Sequence, residues 1–466
     1  MKIDDDICAV ATGMITSAIA IIRISGKDII SKLSSYISFY TTSNTFQSIK
    51  PRMLYRAKFK NGVELIDDIM LVYFKSPKSY TGEEMIELYC HGSLFIQGKI
   101  LGLLQQKGIR LAEPGEFTLR AYLNGKMDLT QAEAVHDIIT ARDKWSHQLA
   151  IQQMRGGITD EINKLRKNLL ELLMYVELEL DFAEEDVEFA SRDKLRELLK
   201  SLMDKINSLS KSYEFGQVIK NGVLVAIIGD TNVGKSTLMN VLLKEDKSIV
   251  SSIPGTTRDI IEDSLVYEGI FFRFADTAGI REAENEIEKI GIERAIQKAL
   301  QAKIVLLMVD IENDIKTIKQ TYHYWVDKLD LNHQKLLVLA NKTDKLSETE
   351  ISQKSEQLQT FIPEIIYISA KYKQNIHEIL NQMVSYVHSL NITGSEHILT
   401  NARQWSALEK ASVAATQAMN SLNNNVPTDL LAEDLKQVNM HLAEVTGEVL
   451  SNEILTEIFK TFCIGK

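Results

Sequence analysis

Proline is scarce in this chain: six in 466 residues, and none between Pro114 and Pro254. Proline breaks helix interiors, so such a stretch leaves room for long helices. Cysteine is scarcer. Cys8, Cys90 and Cys463 are scattered, odd in number and without a CxxC pair. That excludes a disulfide framework and points to a reducing, cytosolic setting. His91 beside Cys90 has no further ligands at zinc spacing, so Cys8 and Cys90 read as small core residues. No apolar run approaches the ~18–20 residues that span a membrane. The start MKIDDDICAV is too acidic for a signal or transit peptide, and the ending Cys463-Ile-Gly-Lys466 does not fit prenylation. The expectation is a cytoplasmic protein with no membrane association. Positive charge is also in deficit, with 53 Lys+Arg against 63 Asp+Glu. A protein that coats nucleic acid by bulk charge is thereby excluded, though a local basic patch is not.

At ~150 residues per domain the length implies about three domains. Residues 1–124 look mixed α/β, with strand-like runs at Ala18–Ser25 and Met70–Phe74 and a turn signal at Asn61-Gly62. Residues 1–125 hold 15 Lys+Arg and 12 Asp+Glu, the only clearly non-acidic part of the chain. Residues 125–221 read as helices. Ile162, Leu165, Leu169, Leu172 and Val176 step by three and four, as do Leu195, Leu199, Leu202, Ile206 and Leu209. The signature returns in 389–466 at Leu431, Leu435, Val438, Leu442, Val445 and Val449. Between them, 222–388 alternates helical patterns with β-branched runs at Val223–Ile228, Phe271–Ala275, Ile304–Val309, Leu336–Ala340 and Ile365–Ile368. Continuous apolar runs of this length suit parallel strands buried on both faces. The predicted architecture is multidomain α/β plus all-α: an N-terminal α/β domain, a discontinuous helical domain (125–221 and 389–466), and a doubly wound domain (222–388) inserted into it. Two separate small bundles are the alternative. The acidic run from Glu177 to Glu188 reads as a solvated helix end.

Gly229-Asp-Thr-Asn-Val-Gly-Lys-Ser236 matches the phosphate-binding P-loop, after a strand-like run and before a helical pattern. Its glycines let backbone N–H groups turn toward phosphate oxygens at a helix N-terminus. Lys235 would reach the β and γ phosphates, and the Ser236 hydroxyl would ligate Mg²⁺. Asp276-Thr277-Ala278-Gly279 follows a second run, with Asp276 placed to hold Mg²⁺ through water and the Gly279 N–H to sense the γ-phosphate. Asn341-Lys342-Thr343-Asp344 follows another. The Asp344 carboxylate can accept from guanine N1–H and the 2-amino group; adenine lacks both donors and would leave a buried acid unpaired. Ser369-Ala370-Lys371 completes the set, with N–H groups for guanine O6. Four elements in this order, each after its own strand, specify a guanine-nucleotide GTPase.

Ile280 stands where Ras-like proteins orient water with glutamine, and an aliphatic side chain cannot do so. No arginine finger is evident. Asn232 and the oxygen-rich loop Ser251-Ser252-Ile253-Pro254-Gly255-Thr256-Thr257 could hold a monovalent cation against the phosphates. The alternative is that Asn232 only hydrogen-bonds within the P-loop.

These residues, with Ile21–Gly26, Tyr80–Leu88, Pro114–Thr118, Leu123–Leu129, Gly255–Asp259, Ile290–Arg294 and Phe462–Lys466, give a chain that resembles the TrmE-type (MnmE) family of tRNA-modifying GTPases along essentially its whole length. The resemblance implies an N-terminal domain that binds tetrahydrofolate and dimerises, the discontinuous helical domain, and an inserted G domain. It implies a homodimer that works with the flavoprotein MnmG (GidA) as a heterotetramer, with FAD and NADH serving that partner. Together they would place a carboxymethylaminomethyl or aminomethyl group on C5 of the wobble uridine of certain tRNAs. The one-carbon unit would come from 5-formyl- or 5,10-methylene-tetrahydrofolate. The resemblance further implies activation by K⁺ and by G-domain dimerisation, with Asn232, Ser251, Ile253 and Thr256 around the K⁺. GTP would lie along Asn232, Val233, Gly234, Lys235, Ser236 and Thr237, with Thr257 joining Ser236 on Mg²⁺. Glu288 would orient the attacking water through a second water, and Cys463 is a candidate catalytic residue. Arg23, Glu87, Lys126 and Lys466 would form the folate pocket, since a pterin edge pairs with a carboxylate and a glutamate tail with cations. Thr231 departs from the usual proline, and Ala11–Ser17 carries one glycine and no proline where the family has a Pro- and Gly-rich loop. The competing reading is a GTP-driven switch in ribosome assembly or regulation. A Gly-x-x-Gly RNA-binding loop or a second P-loop would favour it, and the sequence has neither.

Overall fold

The structure is a computed structural model. It describes residues 5–41, 44–181, 191–245, 264–275, 296–390, 397–424, 426–462 and 464–465. The chain divides into two compact units, each discontinuous in sequence. One comprises Met1–Ile139, Gln152–Leu202 and Lys410–Lys466; the other comprises Thr140–Ile151 and Met203–Glu409.

The first unit contains a seven-stranded sheet in the order β3-β4-β5-β6-β2-β1-β7. The strands are β1 (Ile7–Val10), β2 (Ser17–Gly26), β3 (Ile37–Phe39), β4 (Leu54–Asn61), β5 (Glu64–Phe74), β6 (Glu84–Gly92) and β7 (Arg110–Leu111). All neighbours are antiparallel except β1 and β7. The predicted turn at Asn61-Gly62 joins β4 to β5, and Gly62 supplies the left-handed φ of +62° that a tight hairpin requires. Alternation sets the faces. Ala20, Ile22 and Ile24 point with Ala57, Phe59, Ile69 and Leu71 onto the helix Leu94–Gln106, which contributes Ile100, Leu103 and Leu104 to the same core. Cys8 and Cys90 are buried there, as expected. Burial pushes the Cys8 thiol up to about 12.

The proline-poor stretch folds into long helices, Gly157–Asp181 and Arg192–Asn221 among them. Every residue of their two predicted apolar stripes is buried. Helix Gly157–Asp181 packs on Thr428–Thr446. Arg166 reaches Glu448 at 2.6 Å and Lys436 reaches Glu177 at 2.8 Å across that contact. Val449 corrects the sequence expectation. The helix ends at Thr446, Gly447 turns the chain with φ +89°, and Val449 lies exposed beyond the stripe. Of the acidic run, residues 182–190 lie outside the described residues.

The second unit contains a six-stranded sheet in the order β13-β12-β11-β8-β10-β9. These are β8 (Val223–Gly229), β9 (Ser264–Tyr267), β10 (Ile270–Phe274), β11 (Ile304–Asp310), β12 (Lys335–Asn341) and β13 (Ile365–Tyr367). All pairs are parallel except β9 with β10. Ile304, Leu306 and Met308 enter one core; Val305, Leu307 and Val309 enter the core on the other face. Burial on both faces is why these strands read as unbroken apolar runs. The result is the doubly wound arrangement expected for this stretch, with an antiparallel edge strand.

Candidate nucleotide site

In a doubly wound parallel sheet, ligands bind at the carboxyl ends of the strands. Here β8 runs into the P-loop, β12 ends at Asn341, and β13 leads to Ser369. The second sheet therefore brings three of the four predicted motifs to one edge. Asp276, Thr277, Ala278 and Gly279 continue from β10 but lie outside the described residues, as do Ser251, Ser252, Ile253, Pro254, Gly255, Thr256, Thr257 and Glu288.

The P-loop backbone has the conformation that its glycines allow. Gly229 has φ +141° and Gly234 φ +105°. A Cβ on Gly234 would meet Asn341 Nδ2 at 2.4 Å. Asn232 adopts a left-handed φ of +61°, which asparagine tolerates better than most residues. Lys235 Nζ donates to the carbonyls of Gly229 at 2.8 Å and Asp230 at 2.6 Å. Burial lowers its pKa, and the Asp230 charge opposes that effect. Val233 is buried in the core below, while Asn232, Ser236 and Thr237 are exposed on the rim.

Asn341 braces the loops. Its Nδ2 donates to the Val233 carbonyl at 2.7 Å, and its Oδ1 accepts from the Ala370 N–H at 3.0 Å. The next loop is fixed in turn: the Ser369 hydroxyl donates to Asp344 Oδ1 at 2.6 Å and accepts from the Tyr372 N–H. Lys342, at φ +69°, ion-pairs with Asp310 at the end of β11. Thr343 opens a short 3₁₀ turn, and Lys371 is exposed beside Tyr372. The bracing role of Asn341 and the part played by Asp310 were not legible in the motifs. Both depend on which strands are neighbours.

The first unit holds the other predicted group. Arg23 on β2 and Glu87 on β6 are register partners, and the guanidinium contacts Glu87 Oε1 at 2.9 and 3.0 Å. Tyr89 donates to the other carboxylate oxygen at 3.1 Å. The Arg23 guanidinium also lies 5.3 Å from the Tyr80 ring centroid and 5.7 Å from that of Phe117. It donates to the Gly465 carbonyl at 3.1 Å, which brings the C-terminal end of the chain to β2. Gly465 has φ +90°, and a Cβ there would come within 2.5 Å of the Val10 carbonyl. Lys126 does not touch the Arg23–Glu87 pair: its Nζ donates to the Pro77 carbonyl at 3.0 Å. Cys463 and Lys466 lie outside the described residues.

A buried network behind this group was missed in the sequence. Arg120 is 1% exposed and contacts Asp5, Glu83 and Glu116; Arg110 contacts Asp5 and Glu116. Burial alone would raise the Glu116 pKa, but hydrogen bonds from Arg110, the Glu113 N–H and Arg120 outweigh it and hold the carboxyl below the usual range. Glu83 Oε2 accepts from Ser25 on β2 at 2.8 Å, which ties the network to the strand carrying Arg23.

Comparison with known proteins agrees with this layout. The family model described as the MnmE helical domain matches residues 129–463, and the one described as the GTP-binding protein TrmE N-terminus matches residues 6–126. A protein of Flavobacterium psychrophilum named tRNA modification GTPase MnmE is 45% identical over 463 residues, covering 99% of each chain. Proteins of the same name from Bacteroides fragilis and Porphyromonas gingivalis are 43% and 42% identical, over 99% of this chain in each case and 99% and 98% of theirs. With full-length identity at this level and both domain models matched, the chain belongs to the MnmE (TrmE) family of tRNA modification GTPases.

Proposed function

We propose that this protein binds and hydrolyses GTP at the carboxyl edge of its second sheet and uses the cycle in modifying tRNA. The observation that carries the reading is Asn341, one side chain that ties the P-loop to the loop bearing Ala370. Phosphate and base would thus be gripped by loops of fixed spacing. In the guanine site Asp344 would face the base edge, and the Ser369 hydroxyl on its Oδ1 supports that role by orienting the carboxylate. On the phosphate side, Lys235 would exchange its two carbonyl contacts for β and γ oxygens. The exposed Ser236 hydroxyl fits Mg²⁺, a hard cation that takes oxygen ligands; Thr257 would be the second protein ligand. Mg²⁺ would supply charge neutralisation on the phosphates. The exposed Asn232 amide suits K⁺; Ser251, Ile253 and Thr256 would complete its shell, and Glu288 would orient the attacking water.

In this reading the four-part division 1–124, 125–221, 222–388 and 389–466 is the functional one, and the protein acts in the cytoplasm. The Arg23–Glu87 pair offers cation and carboxylate to a tetrahydrofolate derivative. The contact of Arg23 with the Gly465 carbonyl supports counting the neighbouring Lys466 and Cys463 in the same pocket. The one-carbon unit would then be used with the flavoprotein MnmG, which carries FAD and NADH, on the wobble uridine of tRNA bound to a homodimer of this chain.

Two measurements test the reading. GTP turnover is expected to rise sharply in K⁺ over Na⁺, and equal rates would remove the cation from the site. Wobble-uridine nucleosides analysed by mass spectrometry are expected to lose the C5 substituent in cells lacking the protein. Unchanged nucleosides would overturn the tRNA role.

A further inference from the structure

Between Asp28 and Glu64 the sequence holds six cations, Lys32, Lys50, Arg52, Arg56, Lys58 and Lys60, and no carboxylate. In a chain of net charge −10 such a stretch stands apart. The fold arranges part of it. Ala57 and Phe59 of β4 point into the core, so Arg56, Lys58 and Lys60 alternate onto the opposite face, about 7 Å apart along the strand. Arg56 and Lys58 share one neighbour: the guanidinium carbon lies 4.3 Å and the ammonium 4.7 Å from the centroid of the Tyr40 ring. The Tyr40 hydroxyl donates to Asp68 at 2.5 Å, and Asp68 is the register partner of Lys58. Tyrosine and aspartate thus hold two cations in a row, and Arg56 is exposed. Among the described residues, no carboxylate ion pair accompanies Arg56, Lys58 or Lys60. The half-buried Arg110 and the buried Arg120 are each paired at least twice.

Evenly spaced cations with an aromatic between them suit the phosphates of a nucleic acid strand. A second copy across a two-fold axis on this row would set like charges against like. Leu54 and Leu65 are exposed at the two ends of the row, so an anionic bilayer is the competing occupant, and Asp68 inside the row interrupts any continuous apolar stripe there. We propose that the β4 face binds the phosphate backbone of RNA, with Arg56 and Lys58 as the contacts and Tyr40 as the residue that positions them. The proposal rests on the tRNA-modifying reading and assigns that substrate a surface.

The test uses the full-length protein and unfractionated tRNA, titrated across salt concentrations. The double variant Arg56→Glu, Lys58→Glu is compared with wild type and with Lys316→Glu, Lys328→Glu, which makes the same charge change at exposed residues of the other unit. Two lost phosphate contacts should flatten the slope of log affinity against log salt by roughly 1.4–1.8 and lower affinity at least ~10-fold at low salt. The control pair should leave the slope as in wild type. Equal slopes in the two variants would overturn the proposal, and so would a wild type that does not bind tRNA. Loss of sedimentation as a dimer, or of binding to phosphatidylserine vesicles, with tRNA affinity intact would also overturn it. GTP turnover measured on the same preparations reports separately on the GTPase reading and shows that the variants are folded.

Discussion

The amide nitrogen of Asn341 donates to the carbonyl of Val233 at 2.7 Å, joining the end of β12 to the P-loop after β8. The two residues are separated by β11 in the sheet order, so the contact bridges over an intervening strand. Asn341→Ala would leave a buried carbonyl and the Ala370 N–H without their partner, at a cost of about 1–3 kcal/mol each. Guanine-nucleotide affinity is expected to fall at least ~10-fold, since every 1.4 kcal/mol is tenfold. Fluorescent-GDP titration reads this, and wild-type affinity would show that the brace does not govern the site.

Gly234→Ala strikes the same contact from the other side. The φ of +105° disfavours alanine, and the new methyl would sit 2.4 Å from Asn341 Nδ2. Nucleotide binding should be lost while the separate core of the first unit stays folded, as seen by circular dichroism and titration together.

Asp344→Asn replaces an acceptor with a donor at the position proposed to face guanine N1–H. GTP should weaken and xanthine nucleotide, which carries an oxygen at that edge, should gain. Unaltered guanine selectivity would remove Asp344 from base reading.

Gly465→Ala should displace the C-terminal end from Arg23, because a Cβ would collide with the Val10 carbonyl at 2.5 Å. Formyl-tetrahydrofolate affinity is expected to drop and GTP turnover to persist. Calorimetric titration with intact folate binding would separate the Gly465 contact from the pocket.

The network around Arg120 gives a pH signature. Glu116 has a folded-state pKa below its ordinary value, so its contribution is present above the unfolded pKa and lost as pH falls through the folded one. Asp5 behaves likewise: the hydrogen bond from Arg110 lowers its pKa against the effect of burial, and the charge of Arg120 adds to the lowering. Melting temperature should therefore fall steeply below about pH 4.5, near the ordinary carboxyl range. Glu116→Gln should start less stable and show a shallower acid limb. Parallel limbs would mean that other carboxylates govern acid unfolding.

The sequence alone determined the elements that depend on local pattern. Apolar residues at three and four place one stripe on a helix whatever surrounds it, so Ile162 to Val176 and Leu195 to Leu209 were legible in advance. Unbroken runs such as Ile304–Val309 announced strands covered on both faces. The P-loop, Asn341–Asp344 and Ser369–Lys371 were legible because phosphate and guanine chemistry demands those residue types in contiguous order. Val449 was misread because periodicity continues past the glycine that ends the helix.

Tertiary structure alone decided what depends on strand neighbours. Arg23 meets Glu87 only because β2 pairs with β6 in one register, and a slip by one residue would turn them to opposite faces. Asn341 reaches Val233, and Arg56 and Lys58 come to share one tyrosine, for the same reason, while Arg120 meets Asp5 and Glu83 only once its helix is packed on the sheet. These contacts join residues far apart in the chain, and sequence spacing carries no information about which strands lie side by side.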